Sequence, residues 1–221
     1  MDPLAEKYIG ISSYAYVANN PLIFVDPDGR DIRLAAGLTN EEKLKIVGNL
    51  QSITNDKIVY STLDDGTAQV KIVSLGTENS SRDLKYGTNL IRTLNKKGPD
   101  EHVVTIDITT GGNQISGRVT NANINSDGTA NTGESSTVLF NPESTQGGYN
   151  EEGNRDRPSF IGLGHELIHA KNRYTGTRVP SSSGKNDPDG SGTILSNEEL
   201  NTRAGENKIR QEQGLPLRRQ P

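Results

Sequence analysis

The chain has no cysteine, no tryptophan and only three histidines. Without cysteine, neither a disulfide nor a thiolate metal site can form, so any metal must be held by His, Asp, Glu or backbone oxygen. Aromatic residues make up 5% and apolar residues 30% of the 221 positions, while glycine alone occurs 24 times. That balance predicts one ordinary domain plus an appendage, with long polar loops around a modest core. No apolar run approaches the length of a membrane span, and the N-terminus lacks the apolar stretch of a signal peptide. If the protein is exported, another part of a longer chain or a dedicated machine must export it. The formal net charge of −4 gives no general attraction to nucleic acid or anionic membrane, although Arg218 and Arg219 are locally basic.

Two of the three histidines fall in His165-Glu166-Leu167-Ile168-His169, an H-E-x-x-H pattern. On an α-helix these histidines sit one turn apart on one face, so both imidazoles can reach one metal ion. Glu166 follows the first of them and can serve as general base toward the attacking water. The plain alternative is a pair of surface histidines on an amphipathic helix. The apolar residues around them, Ile161, Leu167 and Ile168, weigh against it, because unpaired buried imidazoles would need partners. Gly162 and Gly164 cost helix propensity and predict a close neighbour on that face.

A catalytic zinc takes three protein ligands and one water. The remaining histidine, His102, opens a predicted strand and reads as a structural residue, so the third ligand should be a carboxylate. A final helix is predicted from about Ser196 to Gln213, with Ser196 as N-cap and Glu199 at N3. Glu198, Glu199 and Glu206 are the candidates. Glu199 is preferred, because Thr202 three positions later is small enough to let the two helices approach. Glu198 is the runner-up, and Glu199 could instead merely close a capping box. Glu206 lies two turns further on the same face, as a supporting group or a partner for Arg203 or Arg210. Tyr174 and Arg173 are weak candidates for stabilising an oxyanion.

Upstream, Thr39-Asn40-Glu41-Glu42 predicts a capped helix to about residue 52. Ile58 to Thr62 and Ala68 to Val73 predict a hairpin around Asp64-Asp65-Gly66. A second helix is predicted from Ser81 to Leu94, followed by Gly98-Pro99. Strands follow at Val103 to Ile108, weakly near Ile115 to Val119, and at Ser136 to Phe140. The last is either the edge strand that an extended substrate would join beside the metal helix, or a buried central strand. Pro158 is expected at the first position of the motif helix.

One further spacing stands out. Asp187-Pro-Asp189-Gly-Ser191-Gly-Thr-Ile-Leu-Ser-Asn-Glu198 places oxygen-bearing residues at loop positions 1, 3, 5 and 12, with Gly192 at 6, as in an EF-hand calcium loop. The preceding Pro180 to Asn186 is not helix-like, and an ordinary polar loop reads the same way. Calcium on Glu198 would fix the start of the helix that carries Glu199.

Residues 1 to 30 contain Tyr8, Tyr14, Tyr16 and Phe24, a large share of the seven tyrosines and three phenylalanines in the chain. Two short strand-like runs, Tyr14 to Ala18 and Leu22 to Val25, flank the turn Asn19-Asn20-Pro21. So much aromatic area cannot be buried locally, and the segment is expected to be the end of something larger. Tyr14-Ala-Tyr-Val-Ala-Asn-Asn-Pro21 followed by Asp26-Pro27-Asp28-Gly29 resembles the C-terminal end of the Rhs (YD-repeat) core domain. The resemblance implies a β-shell core, a variable toxin domain after the Asp-Pro-x-Gly motif, and self-cleavage there by an aspartate pair. By position the pair would be Asp2 and Asp26, whose plain alternative role is to cap turns. Arg30 stands where that family usually has Leu.

The C-terminal third resembles a second family. Arg157-Pro158-Ser159, His165 to Ala170, Glu198-Glu199, Asn207 to Arg210 and Gly214 to Arg218 look like the M91 peptidase family of bacterial effector proteases. This implies a zinc endopeptidase acting on a protein in another cell. The two resemblances together imply a polymorphic toxin delivered by a dedicated secretion system, with a cognate immunity protein. The expected architecture is therefore α+β: an Rhs remnant at 1–30, then a zincin-like metallopeptidase domain at 31–221. That domain would have an H-E-x-x-H helix, a small sheet and a C-terminal helix carrying the third ligand. Zinc would be held by His165, His169 and Glu199, with Glu166 catalytic. The main rival is a module in which a metal only staples two helices. A nuclease is disfavoured, since there is no basic face and no spare cluster of histidines.

Overall fold

A computed structural model describes residues 32–76, 83–96 and 102–221. The Rhs-like segment with Asp2 and Asp26 lies outside the described residues, as do the first two residues of the expected second helix and Gly98-Pro99.

The described part is a mixed α+β fold of four helices, a six-stranded sheet and a small two-stranded sheet. The large sheet has the order β2 (Lys57–Thr62), β3 (Ala68–Ser74), β1 (Ile32–Leu34), β4 (Val104–Ile108), β6 (Ser136–Phe140), β5 (Gln114–Ser116). Its centre is parallel, β1 with β4 and β4 with β6, and both flanks are antiparallel. Alternate residues of the central strands are buried: Ile32 and Leu34, Val104 and Ile106, Val138 and Phe140. Period-two side-chain alternation turns these to the face covered by helices.

Helix α1 (Asn40–Ser52) starts where local chemistry dictates. The Thr39 hydroxyl accepts from the Glu42 amide, and the Glu42 carboxylate accepts from the Thr39 amide. Together with α2 (Lys85–Leu94), it packs against α3 (Ser159–Tyr174), the central helix of the covered face. Ile161, Leu163, Leu167 and Ile168 of α3 are buried in the common core. Each contributes about 1.5–3 kcal/mol by leaving water, so Leu167→Ala should cost about 2–5 kcal/mol. The helix begins at Ser159 with Pro158 at the N-cap, so it starts one residue later than expected.

Ser136–Phe140 is a strand, but it lies between β4 and β5 and has no free edge. The edge beside it belongs to β5, which overlaps the weak strand expected near Ile115 to Val119 but covers only Gln114–Ser116. The small sheet pairs β7 (Ser182–Asn186) with β8 (Ile194–Ser196) and leads into α4 (Asn197–Glu212). No helix among the described residues is long and apolar enough to cross a membrane.

Candidate metal centre

Helix α3 is buried around much of its circumference because α1, α2, α4 and the sheet all touch it. Its glycines permit the closest of these approaches. A Cβ on Gly164 would lie 2.9 Å from Ile209 Cδ1 of α4, so the absent side chain lets α4 lie against the motif helix. Ser196 caps α4 by accepting from the Glu199 amide at 3.0 Å. The Glu199 carboxylate does not return to close a capping box; it turns toward α3.

His165, His169 and Glu199 offer three ligand atoms within 4.8 Å of one another. Glu199 Oε2 stands 3.3 Å from His169 Nε2 and 3.6 Å from His165 Nε2. A tetrahedral metal with bonds of about 2.0–2.1 Å separates its ligand atoms by roughly 3.3 Å. The three groups therefore already stand near the spacing a small divalent ion requires.

The remaining ring nitrogens are held by separate carboxylates. His165 Nδ1 donates to Glu206 Oε2 at 2.9 Å, and His169 Nδ1 to Glu198 Oε1 at 3.0 Å. A carboxylate only accepts, so each Nδ1 carries a proton, and each Nε2 is directed at the shared point, where it can ligate a metal once it is itself deprotonated. Glu198 also accepts from Asn172 Nδ2 at 3.0 Å and is thus committed behind His169. Glu206 is fully buried and accepts from Arg210 Nε at 2.7 Å and Arg218 Nη1 at 3.2 Å. Arg203 donates to Glu199 Oε1 at 2.7 Å, which leaves Oε2 directed at the histidines.

Burial opposes the charged forms, but the pairing outweighs it. Burial would lower the His165 pKa, yet Glu199 and Glu206 push it up to about 9. Glu199, despite its own burial, is held well below the ordinary carboxylate range by His165, His169 and Arg203. Glu166 is nearly buried, and among the described residues no hydrogen bond or ion pair engages its carboxylate.

Several expectations are corrected here. Asp187 and Glu198 do not converge as first and last ligands of a calcium loop. Asp187 takes the Arg203 guanidinium, with one contact at 3.1 Å, and Glu198 faces His169. The loop reaches the histidine cluster through Arg203 and Glu199. Tyr174 Oη donates to the Lys96 carbonyl at 2.8 Å and Arg173 Nη1 to the Gly117 carbonyl at 3.3 Å. Arg218 is not part of a basic tail but folds onto Glu206. His102 bonds the Thr132 carbonyl, apart from the cluster. Of the groups behind the histidines, Glu206 was detectable from its two-turn spacing to Glu199. The contribution of Arg218 depends on the C-terminal segment turning back, which has no periodic signal.

Two histidines and a glutamate on facing helices, each imidazole oriented by its own carboxylate, define a candidate metal centre in a mixed α+β domain. The family model for Peptidase M91, described as effector protein, matches residues 76–220. The chain belongs to this family. No curated protein matches it.

Proposed function

We propose that this chain is a zinc-dependent endopeptidase, the toxin end of an Rhs polymorphic toxin. Residues 1–30 are read as the remnant of the Rhs core and 31–221 as a zincin-like catalytic domain. Its target is a protein in another cell, reached through a dedicated secretion system, and a cognate immunity protein guards the producer. The observation that carries the peptidase reading is the set His165 Nε2, His169 Nε2 and Glu199 Oε2 at near-tetrahedral spacing. Zinc fits this donor set best, because two imidazoles and one carboxylate with a remaining open position are the ligands of a catalytic zinc.

His165, His169 and Glu199 would hold the metal. When bound, it supplies Lewis acidity toward the scissile carbonyl and the attacking water. Glu166 accepts the proton of the attacking water and passes it to the leaving amine. Its carboxylate suits this role because no hydrogen bond or ion pair engages it among the described residues. Glu198 and Glu206 hold the two imidazoles in the ligating tautomer, and Arg203 fixes which oxygen of Glu199 faces them.

Glu166→Gln separates this reading from a metal staple. The variant should keep its zinc and its thermal stability while cleavage of a proteome-derived peptide library disappears. Equal cleavage by both chains would remove Glu166 from the mechanism.

A further inference from the structure

Among the described residues, no carboxylate stands in ion-pair contact with Arg157. It stands two residues before α3, held from behind by its own amide, which donates to the Thr145 carbonyl at 2.8 Å. Its side chain is half-buried and its Nε is enclosed without a partner. Among the described residues, its guanidinium makes no hydrogen bond or ion pair. The neighbouring arginines differ: Arg210 and Arg218 both rest on Glu206. Burial pushes the Arg157 pKa down, with only the more distant charges of Glu206 and Glu166 to offset it and Arg218 opposing.

A second unpaired donor meets it. Asn113 immediately precedes the edge strand β5, and its Oδ1 accepts from the Asn141 amide at 2.7 Å. Its Nδ2 is enclosed and has no partner. Both groups converge over Gly162: a Cβ there would lie 2.5 Å from Asn113 Nδ2 and 3.2 Å from Arg157 Cζ and Nη2. Helical periodicity puts Gly162 on the same stripe as His165, Glu166 and His169, one turn before the first two and two turns before the last. The absent side chain thus admits two donors, one of them cationic, against the motif helix one turn before His165 and Glu166.

We propose that Arg157 and Asn113 form a carboxylate-binding subsite that selects substrates bearing a carboxylate next to the scissile bond. This rests on the peptidase reading above. A guanidinium presents N–H groups in the fork that a carboxylate matches, and the amide adds one more donor. A neutral carbonyl would leave the charge of Arg157 uncompensated. A side-chain carboxylate and a chain-terminal carboxylate offer the same chemistry.

The test uses the full zinc-loaded chain and synthetic peptide libraries with Asp, Asn, phosphoserine or Lys beside the cleaved bond, each with free or amidated C-termini. Asp peptides should be cleaved at least tenfold faster in kcat/KM than Asn peptides, and Arg157→Gln should lower that ratio at least tenfold. Asn113→Asp keeps the oxygen that accepts from Asn141 but sets a carboxylate against Arg157, and it should abolish the preference as well. Preference that survives amidation assigns the side chain; preference only for free ends assigns the chain terminus. A ratio near one in the wild type, an equal loss on Asp and Asn peptides in Arg157→Gln, or a preference for phosphoserine would overturn the proposal. Binding to the Glu166→Gln chain, read by fluorescence anisotropy, needs no turnover. There, adding Arg157→Gln should weaken Asp peptides at least tenfold relative to Asn peptides. If wild type cleaves nothing while that difference persists, the peptidase reading falls and the subsite stands; equal binding sinks the subsite itself.

Discussion

His165 Nδ1 lies 2.9 Å from Glu206 Oε2, and both groups are almost wholly shut away from solvent. The same carboxylate group takes Arg210 and Arg218, so one buried glutamate both orients a candidate metal ligand and ties the C-terminal segment to α4. Glu198 orients His169 but takes no arginine: its hydrogen bonds go to His169, Asn172 and the Val179 amide.

That difference gives the first prediction. Glu206→Gln and Glu198→Gln should each weaken zinc binding by about 10–100-fold, the usual effect of removing a carboxylate behind a ligating histidine. Glu206→Gln should also cost about 3–5 kcal/mol of stability, because buried Arg210 loses its counter-charge and half-buried Arg218 loses one of the two carboxylates near it. Glu198→Gln should cost clearly less. Chelator competition and thermal denaturation of both variants decide the matter; equal stability losses would contradict these assignments.

The second concerns pH. His165 in the metal-free protein is pushed up to about 9 by Glu199 and Glu206 against the cost of burial, so at pH 7 it carries a proton. Zinc must displace that proton. Binding at pH 7 should therefore release protons, and affinity should rise about tenfold per pH unit per displaced proton until the pH passes 9. Calorimetry in buffers of different ionisation enthalpy measures the release. Identical heats in all buffers would mean that the metal-free imidazole is neutral.

A third prediction concerns the approach of α4 to α3. Gly164→Val should destabilise the protein by about 1–3 kcal/mol, since its Cβ would meet Ile209 Cδ1 at 2.9 Å and the branched side chain has no room to settle. It should also weaken zinc binding, because Glu199 rides on α4. Thermal stability and chelator competition are read together; a loss of stability with unchanged zinc affinity would show that the two helices do not set the ligand distance.

Much of this arrangement was legible in the sequence because it is local. The Thr39–Glu42 reciprocal cap and the Ser196 cap each lie within four residues, and the helices they open begin where that chemistry places them. The hairpin of β2 and β3 follows from alternation around a glycine turn. His165 and His169 share a face by spacing alone, and Glu199 was legible as a carboxylate near the start of the next helix. What the sequence did not disclose is long-range. The interior position of Ser136–Phe140 depends on which strands flank it. Asp187 and Glu198 share an EF-hand spacing, yet their oxygens face Arg203 and His169 in the fold. Arg157 entered the sequence reading only within the Arg157-Pro158-Ser159 resemblance, and the fold adds that it meets Asn113 over Gly162.

The most direct test of the central claim is the metal content of the purified chain by mass spectrometry, compared with His165→Ala. The account predicts about one zinc per wild-type chain, set by the three protein ligands of a catalytic site, and almost none in the variant. A wild-type chain that takes up no zinc at saturating supply, or a His165→Ala chain that retains it fully, would contradict it.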